Sequence, residues 1–375
     1  MTKKIKAIKM LKKIEKRYFL ILLFPLGYII NLLSRSNRLA TEKYYSNFIY
    51  RGISWLLGKI TGLLPISLVE LLFISLLIFV PIIFVFFIIK LIKGREKRLK
   101  LIVKGLLNIA LAISIIYFSF IAMWGLNYNR LTLGEIMGLE VKPSSVKELR
   151  DLTEDLARKV NSLRPLVEEN ESGVMVPFGG YKGGFKRYKE GYKAVAEYHP
   201  ELGGVVSRAK PILSSKLYAY TGIWGIYSPF TVESNVNMEI PTPMFLSTMM
   251  HELAHQAGFA REDEANYIAF ITCINHPDPD FQYSGYLLGL NYSLNALYAQ
   301  DSKAYKIIFE QLDKGVKLDL YENNNYHDKY SGKLSKATSK TNDAFLKAND
   351  QEDGEKSYGR MLDLMLAEYR QKNNK

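Results

Sequence analysis

One cysteine in 375 residues, Cys273, leaves no partner for an internal disulfide. The fold must therefore rest on its core, and the roughly 245 residues beyond the last apolar run are ample for one. Cys273 falls in a stretch that reads as helical and is expected as a buried small apolar residue. Internal repeats and long low-complexity tracts are also absent, leaving no sign of a repeat array. An excess of acidic residues is missing too, and the formal charge of +13 invites a nucleic-acid reading. Its distribution removes that reading: residues 1–100 hold 19 Lys+Arg against 4 Asp+Glu, and the rest hold 31 against 33. No nucleic-acid partner is expected. The glycine-rich stretch VMVPFGGYKGGFK (174–186) lacks the GK[ST] ending of a P-loop and a clear preceding strand, so it reads as a flexible loop rather than a phosphate cradle.

What the chain has in abundance is apolar sequence, crowded at the front. Residues 18–33, 67–89 and about 105–126 are long enough, or nearly so, to cross a bilayer at about 20 residues per helix, which predicts a membrane domain over 1–128. The first run contains Pro25 and Gly27, both tolerated in membrane helices, and no small-residue cleavage site follows it, so it reads as an uncleaved anchor. Lys3, Lys4, Lys6, Lys9, Lys12, Lys13, Lys16 and Arg17 precede the first run, and Lys90, Lys93, Arg95, Lys97, Arg98 and Lys100 fill the gap between the second and third. The positive-inside rule then predicts a multi-pass protein of the cell membrane, N-terminus cytoplasmic, with everything past Tyr128 outside. Arg35, Arg38, Lys43, Arg51 and Lys59 in the loop from 34 to 66 weaken that contrast. Phe48, Ile49, Ile53, Leu56, Leu57, Ile60 and Leu63 recur at spacings of three and four and predict an amphipathic helix near 46–64, on the outer membrane surface or beneath the soluble part. Three spans with no internal charge pair, and only Glu70 near one end, argue against a transporter.

From 129 to 375 the pattern is α+β, mainly α, with a small sheet. Ser144 or Ser145 is a candidate N-cap for a helix that repeats through Val146, Leu149, Leu152, Leu156 and Val160. Residues 216–240 are rich in aromatic and β-branched side chains broken by Gly and Pro, and predict short strands. Within them Thr231 to Asn237 reads either as an ordinary core strand or as an edge strand that pairs with a peptide. Thr242 as cap and Pro243 at the first helical position predict a helix through MFLSTMMHELAHQAG that ends at Gly258. A second helix is expected from about Glu262 to Cys273 and a further helical region from near Tyr283. The tail 301–375 reads as peripheral packing.

The residues that carry chemistry are HELAHQAGFARE, from His251 to Glu262. On a helix, His251 and His255 share one face and both imidazoles can reach one Zn2+, while Glu252 can reach a water activated by the ion. A hydrolytic site needs a third ligand. Glu262 and Asn266 lie four apart on one helical face, which suits a ligand and a residue that supports it from behind. Asp263 and Glu264 stay open if that helix starts later, and His276, before Pro277, is the histidine rival. Gly258 suits the tight reversal that such a site requires.

HELAH followed by EDEANYIAF resembles the gluzincin arrangement, HExxH and then a glutamate followed four positions later by Asp or Asn, as in the membrane CaaX-processing zinc proteases. It departs from them in the short gap of six residues between His255 and Glu262, and Gly258 sits where metzincins have their glycine, with Arg261 in place of their third histidine. The three spans, YTGIWGIYSPFTVESNVN, HELAHQAGFAREDEAN and FQYSGYLLGLNY together resemble an uncharacterised bacterial membrane family with a zincin-like site. The resemblance implies a zincin-like metalloprotease domain with one Zn2+ per chain held by His251, His255 and Glu262, Glu252 as general base, Asn266 behind the ligands, and a peptide or protein substrate. Tyr283, Tyr286 and Arg261 are the candidates for stabilising an oxyanion. A noncatalytic receptor or envelope-assembly protein on the same fold is the rival.

Overall fold

The computed structural model describes residues 15–94 and 98–373; Lys3 to Lys13, Arg95 and Lys97 of the expected basic flanks lie outside them. The first four helices are α1 (Lys16–Ser36), α2 (Tyr50–Thr61), α3 (Leu68–Lys93) and α4 (Arg98–Met123). Of these, α1, α3 and α4 are long and apolar enough to cross a membrane. Their side chains face almost wholly outward, and apolar surface on that scale calls for lipid rather than water. The helix that carries the third apolar run begins at Arg98, ahead of the run itself, because Arg98, Lys100 and Lys104 continue the helix.

A π-helical segment, Thr41–Ile49, leads into α2. The expected apolar stripe is there, but it does not meet the protein: Phe48, Ile49, Leu56, Ile60 and Leu63 are exposed, and Trp55 with them. The inward face is instead Tyr50, Ser54, Gly58 and Thr61. Its small residues let the helix come close, with Gly58 set against Val206 and Ser207.

Beyond residue 129 the main elements are α5 (Val146–Leu163), a ladder of β1 (Glu168–Glu169) and β2 (Met175–Val176), the strands β3 (Lys210–Pro211), β4 (Gly225–Ser228) and β5 (Glu233–Val236), and then α6 (Thr242–Gln256), α7 (Glu262–Ile274), α8 (Pro279–Gln300), α9 (Ser302–Glu310), α10 (Lys314–Tyr330), α11 (Lys333–Ala348) and α12 (Met361–Asn373). Ser145 and Glu148 form a reciprocal capping box at the start of α5, which buries Leu149, Leu152, Leu156 and Val160, largely against α8. Each such side chain contributes about 1.5–3 kcal/mol on full burial. The centre of the core is α6, buried almost all round, with the small sheet on one side and α7 and α8 on the other.

Several expectations are corrected here. Residues 215–221 of the supposed strand region form a helix, leaving only β4 and β5 as strands. The 174–186 stretch contains β2 and a helix, Gly180–Arg187, rather than a flexible loop. Thr242 is the first helical residue, not the cap, and its hydroxyl donates to the Met175 carbonyl. The helix expected from near Tyr283 starts at Pro279. The sheet order is β3-β5-β4, so β5, within the Thr231 to Asn237 stretch, is central, and β4 is an edge, with Ile226 opposite Asn235.

The membrane helices lock onto the sheet through buried charge. Glu233 of β5 accepts from the Leu68 and Val69 amides at 3.1 and 3.0 Å, completing the N-terminus of α3, and pairs with Lys210 of β3. Lys210 also donates to the carbonyls of Thr61 and Ile66. In the reverse sense, Glu70 of α3 accepts from the Leu213 and Ser214 amides. Both Lys210 and Glu233 are buried, so removing one strands the other. Glu233→Ala is expected to destabilise the protein by about 3–5 kcal/mol, and the apolar double replacement Glu233→Leu with Lys210→Met by less. Unfolding midpoints in detergent check this; an unchanged midpoint for Glu233→Ala would remove the buried pair as the clamp.

Candidate metal centre

The site is made by the turn between α6 and α7. Gly258 has φ of +100°, a conformation that favours glycine, and the turn closes with Gly258 N–H on the His255 carbonyl and Phe259 N–H on that of Ala254. Arg261 is extended, so α7 starts at Glu262 directly beside the end of α6. Three acidic residues in its first turn suit the positive end of the helix dipole. The reversal brings Glu262 Oε2 to 3.2 Å from His251 Nε2 and 3.5 Å from His255 Nε2. The two Nε2 atoms are 3.1 Å apart, and all three side chains are buried.

The donor set fits a cation. His251 Nδ1 lies 2.8 Å from Asn266 Oδ1, and His255 Nδ1 lies 2.7 Å from the Phe259 carbonyl. Asn266 spends its amide protons on the Tyr292 hydroxyl and the Tyr358 carbonyl, which fixes Oδ1 as the atom facing His251. Both imidazoles then carry their proton on Nδ1 and turn a bare Nε2 lone pair inward. Glu262 Oε2 is buried without a hydrogen-bond partner among the described residues. Three proton-free donors within 4.8 Å of one another could hold a metal ion. Two imidazoles and a carboxylate are a set that zinc accepts.

Electrostatics follow the same geometry. Burial pushes Glu252 up to about 7 against the opposing pull of His251 and His255. Burial would lower His255, but Glu262 outweighs it and raises the imidazole to about 9, so in the ion-free site Nε2 holds a second proton, and the bare donor set is the form an ion selects by displacing that proton. Burial would likewise raise Glu262, and the two histidines hold it well below the usual carboxylate range. Glu252 lies against the edge strand: a Cβ added at Gly225 of β4 would come within 2.6 Å of its Cγ and Cδ. Only a residue without a side chain leaves that carboxylate room.

Other candidates go elsewhere. Glu264 accepts from the Leu133 amide and Arg261, and Asp263 is not part of the cluster. His276 faces the Arg187 carbonyl and stacks on Phe281. Arg261 turns to Glu264 and the Tyr128 carbonyl. Tyr283 donates to Asp319, and Tyr286 packs edge-on against Phe270. With α8 starting at Pro279, Tyr292, about three and a half turns further on, is the residue of that helix whose hydroxyl meets Asn266.

Sequence reasoning missed most of the surrounding shell. The tail is not peripheral: Tyr358 stacks on His251 with ring centres 6.2 Å apart, and Gln351 accepts from the Glu262 amide. Arg130 pairs with Glu42, donates to the Gly258 carbonyl and lies over the Phe259 ring, bracing the turn that orients His255. Trp124 and Tyr227 flank His255. None of these positions has a local pattern that marks it.

The chain belongs to the family described as "Protein of unknown function (DUF3810)", whose model matches residues 45–366 and so spans α2 to α12 apart from the end of the last. Comparison with curated proteins and with solved structures found no match.

Metal analysis of the purified protein is expected to find one equivalent of Zn2+. Glu262→Ala should lose it and Glu264→Ala should retain it; the opposite pattern would move the third ligand. Asn266→Ala should weaken affinity about 10–100-fold by freeing the His251 ring.

Proposed function

We propose that this protein is a membrane-anchored, zinc-dependent peptidase whose site lies outside the cytoplasmic membrane. The observation that carries the reading is Glu252, a buried carboxylate between the two histidines on α6, beside a cluster that offers three protein ligands among the described residues. A purely structural zinc fills its fourth position with protein and needs no base. A bound Zn2+ would supply Lewis acidity, lowering the pKa of a water at the open position toward about 7 and polarising a substrate carbonyl. Glu252 takes the proton of the attacking water and returns it to the leaving amine. Asn266 and the Phe259 carbonyl keep the two imidazoles turned inward throughout.

The oxyanion role passes from Tyr283 and Tyr286 to Tyr358, whose buried phenol feels both Glu262 and Glu252. An extended peptide pairs along β4, whose Gly225, Ile226 and Tyr227 are half-exposed and border Glu252. The basic flanks, read by the positive-inside rule, set the orientation. A noncatalytic receptor or assembly role draws on one feature, the burial of every ligand.

Glu252→Gln separates these readings. It should keep stoichiometric zinc and lower hydrolysis of a fluorogenic mixed-sequence peptide library by about 10²–10⁴-fold. A variant that matched the parent in rate would leave the receptor reading standing.

A further inference from the structure

We infer that the substrate is a polypeptide anchored in the same bilayer and cut in the stretch just outside its own span; this rests on the peptidase reading. The metal cluster sits where a membrane helix ends. Trp124 follows the last residue of α4, and its ring lies 6.2 Å from His255, 4.8 Å from Tyr227 and 5.4 Å from Tyr50. Tyr50 belongs to α2 and its hydroxyl contacts both the Gln256 carbonyl at the end of α6 and the Tyr227 hydroxyl, each at 2.9 Å. A single chain of contacts therefore runs from α4 and α2 to the metal ligands and the edge strand.

The outer face of α2 identifies what lies beneath. Trp55, Leu56 and Ile60 are 57%, 54% and 56% exposed, and Phe48 and Leu63 on either side are 76% and 81% exposed. α2 lies in the segment that joins the end of α1 to the start of α3, two helices whose own side chains face outward, so the occupant of its apolar face is the bilayer, with α2 lying in the interface plane. Lys43 ahead of the segment and Lys59 within α2, both exposed, can lie at the level of the headgroups. One helix, about 10–12 Å across with its side chains, then separates the metal centre from the acyl region. An extended chain rises about 3.3 Å per residue, so a substrate leaving the bilayer reaches β4 after about three or four residues. A soluble polypeptide must instead bring its cleavage point down against the headgroups.

The full-length protein in phosphatidylcholine vesicles tests this with mixed-sequence peptides in three forms: joined to a single-span apolar helix by a 4-residue spacer, joined by a 20-residue spacer, and unanchored. Both anchored forms share the enrichment at the vesicle surface, so the comparison between them reads position alone. The short-spacer form should be cleaved at least about tenfold faster, with cuts within about six residues of the anchor. Equal rates for the two anchored forms would overturn the inference and leave the peptidase reading intact. Cleavage of none of the three overturns both. A readout independent of activity is the fluorescence of Trp55, exposed on the apolar face of α2, in a Trp124→Phe, Trp224→Phe background with lipids brominated near the headgroup. Strong quenching is expected, and quenching by aqueous iodide alone would overturn the placement.

Discussion

Two bare imidazole nitrogens and a carboxylate oxygen, buried together at the turn between α6 and α7, set the terms for the rest of the molecule. Such a group repels itself unless a cation or a proton is shared among its members, so its geometry has to be imposed from outside. Every neighbour contributes to that. Asn266 and the Phe259 carbonyl fix the ring tautomers, Gln351 holds the first amide of α7, and Tyr358 covers the His251 ring.

The membrane-proximal part is the second half of this scaffold rather than a tether. Arg130 joins Glu42, before α2, to the Gly258 carbonyl in the turn between His255 and Glu262. On the other side of the sheet, Glu233, Lys210 and Glu70 tie the start of α3 to β5, β3 and the Leu213–Ser214 backbone. The strand that borders Glu252 is next to β5, so the position of the edge is linked to where α3 enters.

How much was legible depended on whether the signal was local. The spans are legible because bilayer thickness demands a continuous apolar run, and α5 because its caps and repeat agree. The apolar stripe of α2 is legible too, but which side it faces is not: the same stripe suits a core or a lipid surface, and only Tyr50, Ser54 and Gly58 meeting the protein decides it. The helix at 215–221 defeats a propensity argument because its aromatic residues pack by context, and the partners of Tyr283 and Tyr286, Asp319 and Phe270, are set by which face of α8 meets which neighbour. The choice between core and edge for Thr231 to Asn237 stays open in the sequence because strand order is a long-range property, and β3, only two residues long, makes β5 central.

The sequence by itself determined the three spans, the histidine spacing on α6, the glycine turn and the acidic start of α7, because each follows from helix period, capping or backbone freedom within a few residues. Tertiary structure alone decided that Glu262 rather than Glu264 faces the histidines, that Gly225 borders Glu252, and that Tyr358, from a tail more than 100 residues away, covers His251. Those contacts join segments far apart in the chain, and their energies come from burial and pairing that exist only once the segments have met.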